Sequence, residues 1–210
     1  MSEVLLDHLD SPHRKRLLLN YLSAAAAIAS AELPDRPYGE LLLERPITDK
    51  TWRGFISKVV DERLSEHSSD LNVDAGFGRR KISSFLAAIQ SIPESPRKCL
   101  VHGDFYPANV MVGDDLNVTG VLDFSPMTVV GDPQVDIAGS LMWLEVVAGY
   151  REEDSRYLRD VVSQKYETPL AVLEFYRIFY SIYFAGAKED DPKLYEWCVS
   201  NLRAWKGATT

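Results

Sequence analysis

The chain has 210 residues, 46% of them hydrophobic, with 23 Lys and Arg against 31 Asp and Glu for a net charge of −8. That apolar content supports a packed core and argues against disorder, and the acidic balance argues against a nucleic-acid-binding surface, which needs clustered Lys and Arg. Cys99 and Cys198 are too few and too far apart for a disulfide framework or a zinc site, the opening MSEVLLDHLD lacks a secretory pattern, and the longest apolar stretch, Ser23 to Ala31, is too short to span a membrane, so a cytoplasmic single domain over 1–210 is expected.

Ser11-Pro12 opens the first predicted helix, with Ser11 as N-cap and Pro12 at the first helical position. Leu18, Tyr21, Leu22, Ala25, Ile28 and Ala29 recur at helical spacing and give it one apolar face, and it stops before Pro34. Residues 33–47 read as a proline-containing loop in which Leu41 to Leu43 form a brief extended piece. A second helix begins near Thr48 or Asp49, buries Trp52, Phe55, Ile56 and Val59, and ends near Glu66, with His67 to Asn72 as a polar loop. Gly76-Phe77-Gly78 ahead of Arg79, Arg80 and Lys81 invites a phosphate-loop reading. No strand is expected before it and the GxGxxG count fails, so it reads as the entry to an amphipathic helix carrying Ile82, Phe85, Leu86 and Ile89. Pro93 and Pro96 end that helix, and nothing before Leu100 reads as a strand of a sheet.

The stretch from Leu100 to Ala138 organises the chain: LVHGDFYPANVMVGDDLNVTGVLDFSPMTVVGDPQVDIA. Three strands are predicted around it, Cys99 to His102, Asn109 to Val112 and Val118 to Leu122, the last two joined by the turn Gly113 to Asn117. Such a hairpin brings Asn109 and Asp123 together at one end, close to the loop that carries Asp104. Phosphoryl transfer needs hard oxygen ligands for a cation on the phosphates and a carboxylate to take the acceptor hydroxyl's proton. Asn109 and Asp123 suit the first task and Asp104 the second. Singly, each reads as a turn residue or a strand end; their order and spacing carry the chemistry.

Beyond this stretch, Asp132-Pro133 caps a helix with Asp136, Leu141, Trp143 and Leu144 on or near its buried side, and 152–166 forms a more polar helix. Thr168-Pro169 opens an aromatic helix with Leu173, Phe175, Tyr176, Phe179, Tyr180, Tyr183 and Phe184; Asp191-Pro192 opens the last, with Tyr195, Trp197, Leu202 and Trp205. These aromatic stripes read as core rather than as a substrate wall. The parts are then a helical 1–97, a catalytic loop with hairpin over 98–125, and a helical 126–210.

His102-Gly103-Asp104 with Asn109, the strand end Leu122-Asp123-Phe124, and Gly131-Asp132-Pro133-Gln134-Val135-Asp136-Ile137-Ala138 resemble, in order and distance, the aminoglycoside phosphotransferase and choline kinase family. The resemblance implies a mainly helical α+β fold. Specifically, it covers only the C-terminal lobe of a protein-kinase-like fold with a small β-hairpin; the chain departs from the family in that an N-terminal lobe with a Gly-rich loop and a strand lysine is expected to be absent. It also implies transfer of the γ-phosphate of ATP (or GTP) to a hydroxyl of a small molecule. In that reaction Asp104 is the catalytic base, Asn109 and Asp123 are Mg²⁺ ligands, Met111 and Leu122 form the floor under the purine, and His102 and Asp136 hold the loop in shape. A cationic acceptor would lie against the C-terminal helices, near Glu145 and Glu174. The face left by the missing lobe would invite a partner chain or self-association. The alternative expectation is a non-catalytic kinase-like binding module or a truncated fragment.

Overall fold

The computed structural model describes residues 3–207, with the side chains of 6–207. After α1 (Glu3–His8) comes α2 (Ser11–Ile28), capped by Asp10, whose carboxylate accepts from His13 N at 3.1 Å. Asp10 therefore takes the capping place expected of Ser11, which lies inside the first turn beside Pro12. α3 (Trp52–Ala75) is capped by Thr51, and Gly76 closes it at φ 62°. It runs straight through residues 67–72, expected as a loop. Leu71 and Ala75 are buried there, and Asp74 is bound by Lys188 (2.7 Å) and by the Tyr195 hydroxyl (2.8 Å). Tertiary contacts thus hold a polar segment helical. α4 (Arg79–Ala88) follows, and no phosphate loop forms at Gly76.

Strands do precede Leu100, contrary to expectation. β1 (Tyr38–Glu40) and β2 (Thr48–Asp49) join β3 (Cys99–Val101) and β6 (Val129–Gly131) in an antiparallel sheet of order β2-β1-β6-β3. Leu41 to Leu43, expected to be extended, lie just past β1. These strands have two or three residues each, too short to show a period-2 pattern, and β1 pairs with residues about 90 positions away, Gly39 opposite Val130. The predicted hairpin is present as β4 (Val110–Val112) and β5 (Val118–Val121), with Met111 opposite Gly120.

The remaining helices are α5 (Gln134–Met142), α6 (Glu152–Lys165), α7 (Leu170–Tyr183) and α8 (Pro192–Ala204), the last capped by Asp191 through Leu194 N. Two apolar clusters result. One joins α3, α4, α7 and α8 to the sheet; the other joins α2, α5 and α6 to the hairpin. The segment 102–109 lies at their seam, and Tyr106 packs against both. Cys99 in β3 and Cys198 in α8 are free and fully buried. Among the described residues no helix is long and apolar enough to cross a membrane.

One buried ion pair ties distant parts together. Arg14 donates to Asp154 through Nε at 2.7 Å and through a second nitrogen, to Leu6 O at 2.6 Å, and to Gly149 O. Asp154 also accepts from Arg151 N at 2.9 Å. Both side chains are withdrawn from water, so removing one partner strands a buried charge. Arg14→Met is expected to cost about 3 kcal/mol in urea denaturation, and adding Asp154→Leu should recover much of that loss.

Candidate active site

The loop after β3 is shaped by backbone capture. Asp136, on the first turn of α5 and fully buried, accepts from His102 N at 2.7 Å and from Gly103 N at 2.9 Å. Gly103 stands at φ 79°, and a β-carbon there would lie 2.1 Å from Met127 O. Only glycine fits between these two constraints. The His102 ring spans the site: Nε2 lies 2.8 Å from Leu122 O, and Nδ1 accepts from Asp104 N at 3.3 Å. A carbonyl oxygen only accepts, so the ring carries its proton on Nε2. From α2, the Tyr21 hydroxyl donates to Phe105 O at 2.5 Å, and its ring packs on Phe105 at 4.8 Å. His102 and Asp136 are thus both bonded to the backbone of this loop.

The GDPxxD segment divides its work. Gly131 leaves room for the Trp52 ring, which a β-carbon would approach to 2.6 Å. Asp132 accepts from Gln134 N at 3.0 Å, starting α5, and from the Tyr176 hydroxyl at 2.7 Å, itself bonded by Trp52 Nε1. Asp136 then reaches back to the loop.

The hairpin delivers the other two groups. Leu122 N donates to Asn109 O at 2.8 Å, which sets Asn109 beside Asp123 at one end of the hairpin. Asn109 Nδ2 donates to Asp104 O at 3.1 Å, leaving Oδ1 for a ligand. Asp123 holds φ 60°, unusual for a side-chain-bearing residue, and its exposed carboxylate makes no hydrogen bond or ion pair among the described residues. Burial pushes the Asp104 carboxyl above its usual range, and the like charge of Asp123 adds to this, while His102 and Asn109 oppose it. Asp104, Asn109 and Asp123 are thus brought together. Among the described residues no three His, Cys, Asp and Glu side chains converge on a metal position. A cation here would rest on one carboxylate, one amide oxygen and the oxygens of a bound phosphate, a donor set that fits Mg²⁺.

Burial pushes Asp136 up to about 6, against the pull of the His102 and Gly103 N–H groups. A carboxyl whose pKa is raised on folding stabilises the fold most in its protonated form. That contribution is complete below about pH 4 and is lost as pH rises through 6. Urea denaturation against pH is expected to show the wild type losing on the order of 3 kcal/mol over that window relative to Asp136→Asn.

Met111 and Leu122 are 50% and 52% exposed, and Phe124 is 41% exposed with its ring 4.7 Å from that of His102. Glu145 and Glu174 are elsewhere. Both oxygens of Glu145 are held by Arg177 at 2.6 Å, and Trp197 Nε1 adds a bond at 3.2 Å. Glu174 lines a separate cleft with Arg159 and Leu170. The expected meeting of these glutamates with an acceptor amine is corrected accordingly. Instead, Asp104 and Asn109 open onto a cavity of about 290 Å³ walled by Tyr106, Trp143, Val146, Phe184 and Leu194, with Asp191 and Lys193 also lining it. Sequence reasoning assigned Trp143 and Phe184 to the core. Trp143 is only 2% exposed, so it serves core and cavity at once, and helical spacing alone does not separate the two.

The family profile described as "APH: Phosphotransferase enzyme family" matches residues 2–176. No curated protein matches the chain by sequence. Among solved structures, a thermostable mutant of aminoglycoside phosphotransferase APH(4)-Ia in ternary complex with ADP and hygromycin B is similar at TM-score 0.61 and 21% identity, over 97% of this chain and 69% of that one. The AMP-PNP and hygromycin B complex gives TM-score 0.64 at 19% identity, with 97% and 69% covered. The gentamicin complex of APH(2")-IIa gives 0.54 at 16%, with 98% and 67% covered. At these identities the likeness is one of fold, the protein-kinase-like fold.

Proposed function

The chain belongs to the phosphotransferase enzyme family, and from that premise we propose that it transfers the γ-phosphoryl group of ATP to a hydroxyl of a small molecule. The convergence of Asp104, Asn109 and Asp123 beside one cavity supports this reading. Asp104, held by its own N–H on His102, accepts the hydroxyl proton as the oxygen attacks. Burial raises its pKa, which makes the carboxylate a stronger base than a solvated one. Asn109 Oδ1 and Asp123 hold a divalent cation, which neutralises charge on the phosphates when bound. Met111 and Leu122 lie under the purine. We read the chain as the lobe that carries the catalytic loop; the outward apolar side chains of Met111, Leu122 and Phe124 support a second lobe or partner covering that side.

Calorimetric titration tests this. ATP is expected to bind only with Mg²⁺ present, and Asp123→Ala is expected to remove that dependence. Nucleotide binding indifferent to both Mg²⁺ and Asp123 would overturn the assignment.

A further inference from the structure

We propose that two neighbouring residues of α2, Asn20 and Tyr21, are positioning residues for phosphoryl transfer: Tyr21 fixes the loop that carries Asp104, and Asn20 fixes the hairpin that carries Asn109 and Asp123. This rests on the phosphotransferase reading of the same site and names the element that sets its spacing.

The base and the cation ligands stand on different pieces of backbone. Asp104 lies in the loop after β3, whereas Asn109 lies just before β4 and Asp123 just past β5. Positioning is a large part of what a protein contributes to this reaction, so the distance between loop and hairpin has to be held. α2 grips both. Consecutive residues of a helix point about 100° apart, so Asn20 and Tyr21 reach in different directions from one turn. The Tyr21 hydroxyl donates to Phe105 O at 2.5 Å, next to the base. Asn20 Nδ2 donates to Leu116 O at 2.8 Å and to Asn117 Oδ1 at 3.0 Å, in the turn that joins β4 to β5.

The turn that Asn20 meets is itself ordered. Leu116 holds φ 63°, and Asn117 bonds Asp115 through its backbone N at 3.1 Å and through Nδ2 at 2.5 Å. The hairpin is therefore fixed at both ends, by Leu122 O on the His102 ring at 2.8 Å and by Asn20 at the turn. Held at the first end alone, it could pivot and carry Asn109 and Asp123 with it. α2 is a firm base for both grips, because Leu18, Tyr21 and Leu22 are buried in one cluster with Phe105, Val110 and Leu116.

The experiment follows Mg²⁺-dependent release of phosphate from ATP by the full chain, with water as the acceptor. Tyr21→Phe keeps the ring on Phe105 and removes only the hydroxyl. It is expected to lower kcat about tenfold with KM for ATP unchanged. In an Asp104→Asn background the same substitution should change kcat by less than about twofold, because no base remains to be positioned. Asn20→Ala is expected to raise the Mg²⁺ concentration for half-maximal rate about tenfold. Asn20→Leu, of similar size and without the donor, is the second variant, should the first fail to fold. A loss of folded protein would lower the rate equally in both backgrounds and would leave the half-maximal Mg²⁺ concentration where it was. No loss in Tyr21→Phe, an equal loss with and without the Asp104 carboxylate, or an unmoved Mg²⁺ requirement in the Asn20 variants overturns the inference and leaves the phosphotransferase reading standing. No Mg²⁺-dependent release from the unsubstituted chain defeats that reading, and this inference falls with it.

Discussion

Asp104→Asn is expected to lower kcat for phosphoryl transfer by about 10²–10⁴, the usual contribution of a positioned general base. The amide keeps the shape and can still occupy the loop, but it cannot take the hydroxyl proton. Stability should move little, or rise. Burial raises the Asp104 pKa, which means that its ionised form is disfavoured in the fold, and the substitution removes that charge. A fall in rate without a fall in melting temperature is therefore the signature. The wild-type rate should also decline as the solution is acidified through the raised Asp104 pKa, because the base is then protonated before substrate arrives. An unchanged kcat in Asp104→Asn would remove this residue from the reaction.

Gly103→Ala should be strongly damaging for a single added methyl. A β-carbon at that position would stand 2.1 Å from Met127 O and 2.9 Å from Met127 C, both backbone atoms that no side-chain rotation can withdraw. The φ of 79° adds strain for any side-chain-bearing residue. Relief requires the loop to slide off Asp136 or the 125–128 turn to move, and that turn is pinned by Thr128 N to Ser125 O at 2.8 Å and by the Thr128 hydroxyl on His102 O at 3.3 Å. The expected loss is about 4–5 kcal/mol, in the range reserved for backbone conflicts in ordered regions. Equilibrium denaturation measures it directly. Gly76→Ala is the control, since its φ is also positive but a β-carbon there would meet nothing within 4 Å. The difference between the two variants isolates the collision with Met127 from the cost of the left-handed backbone.

The catalytic loop is legible in the chain because its chemistry is local. Asp104, Asn109 and Asp123 fall within one hairpin and its approach, so spacing in sequence translates into spacing in space. The sheet is not legible, because β1 is Tyr38-Gly39-Glu40, a segment with no strand signature that is extended through pairing with Thr48 and Asp49 on one side and Val129 and Val130 on the other. The continuation of α3 past Glu66 is hidden for a related reason: residues 67–72 look like a loop until Asp74 meets Lys188 and Tyr195. Glu145 shows the limit for sites. A carboxylate near an expected acceptor surface cannot be told from one already held by an arginine 32 residues later. The cavity wall is missed because Trp143 and Phe184 obey the same helical spacing whether they face the interior or a ligand.

The two buried thiols make the molecule its own clock. Burial pushes the Cys99 thiol up and the Cys198 thiol up to about 12, so neither forms the reactive thiolate while folded. Alkylation can then proceed only through transient opening, and its rate at each position reports how often that neighbourhood breathes. Cys99 lies in the strand that leads into the catalytic loop, and Cys198 in the helix whose first turn lines the cavity. Peptide-resolved labelling would time those two openings separately, in one tube, without an engineered cysteine; a ligand seated in the cavity should slow the second.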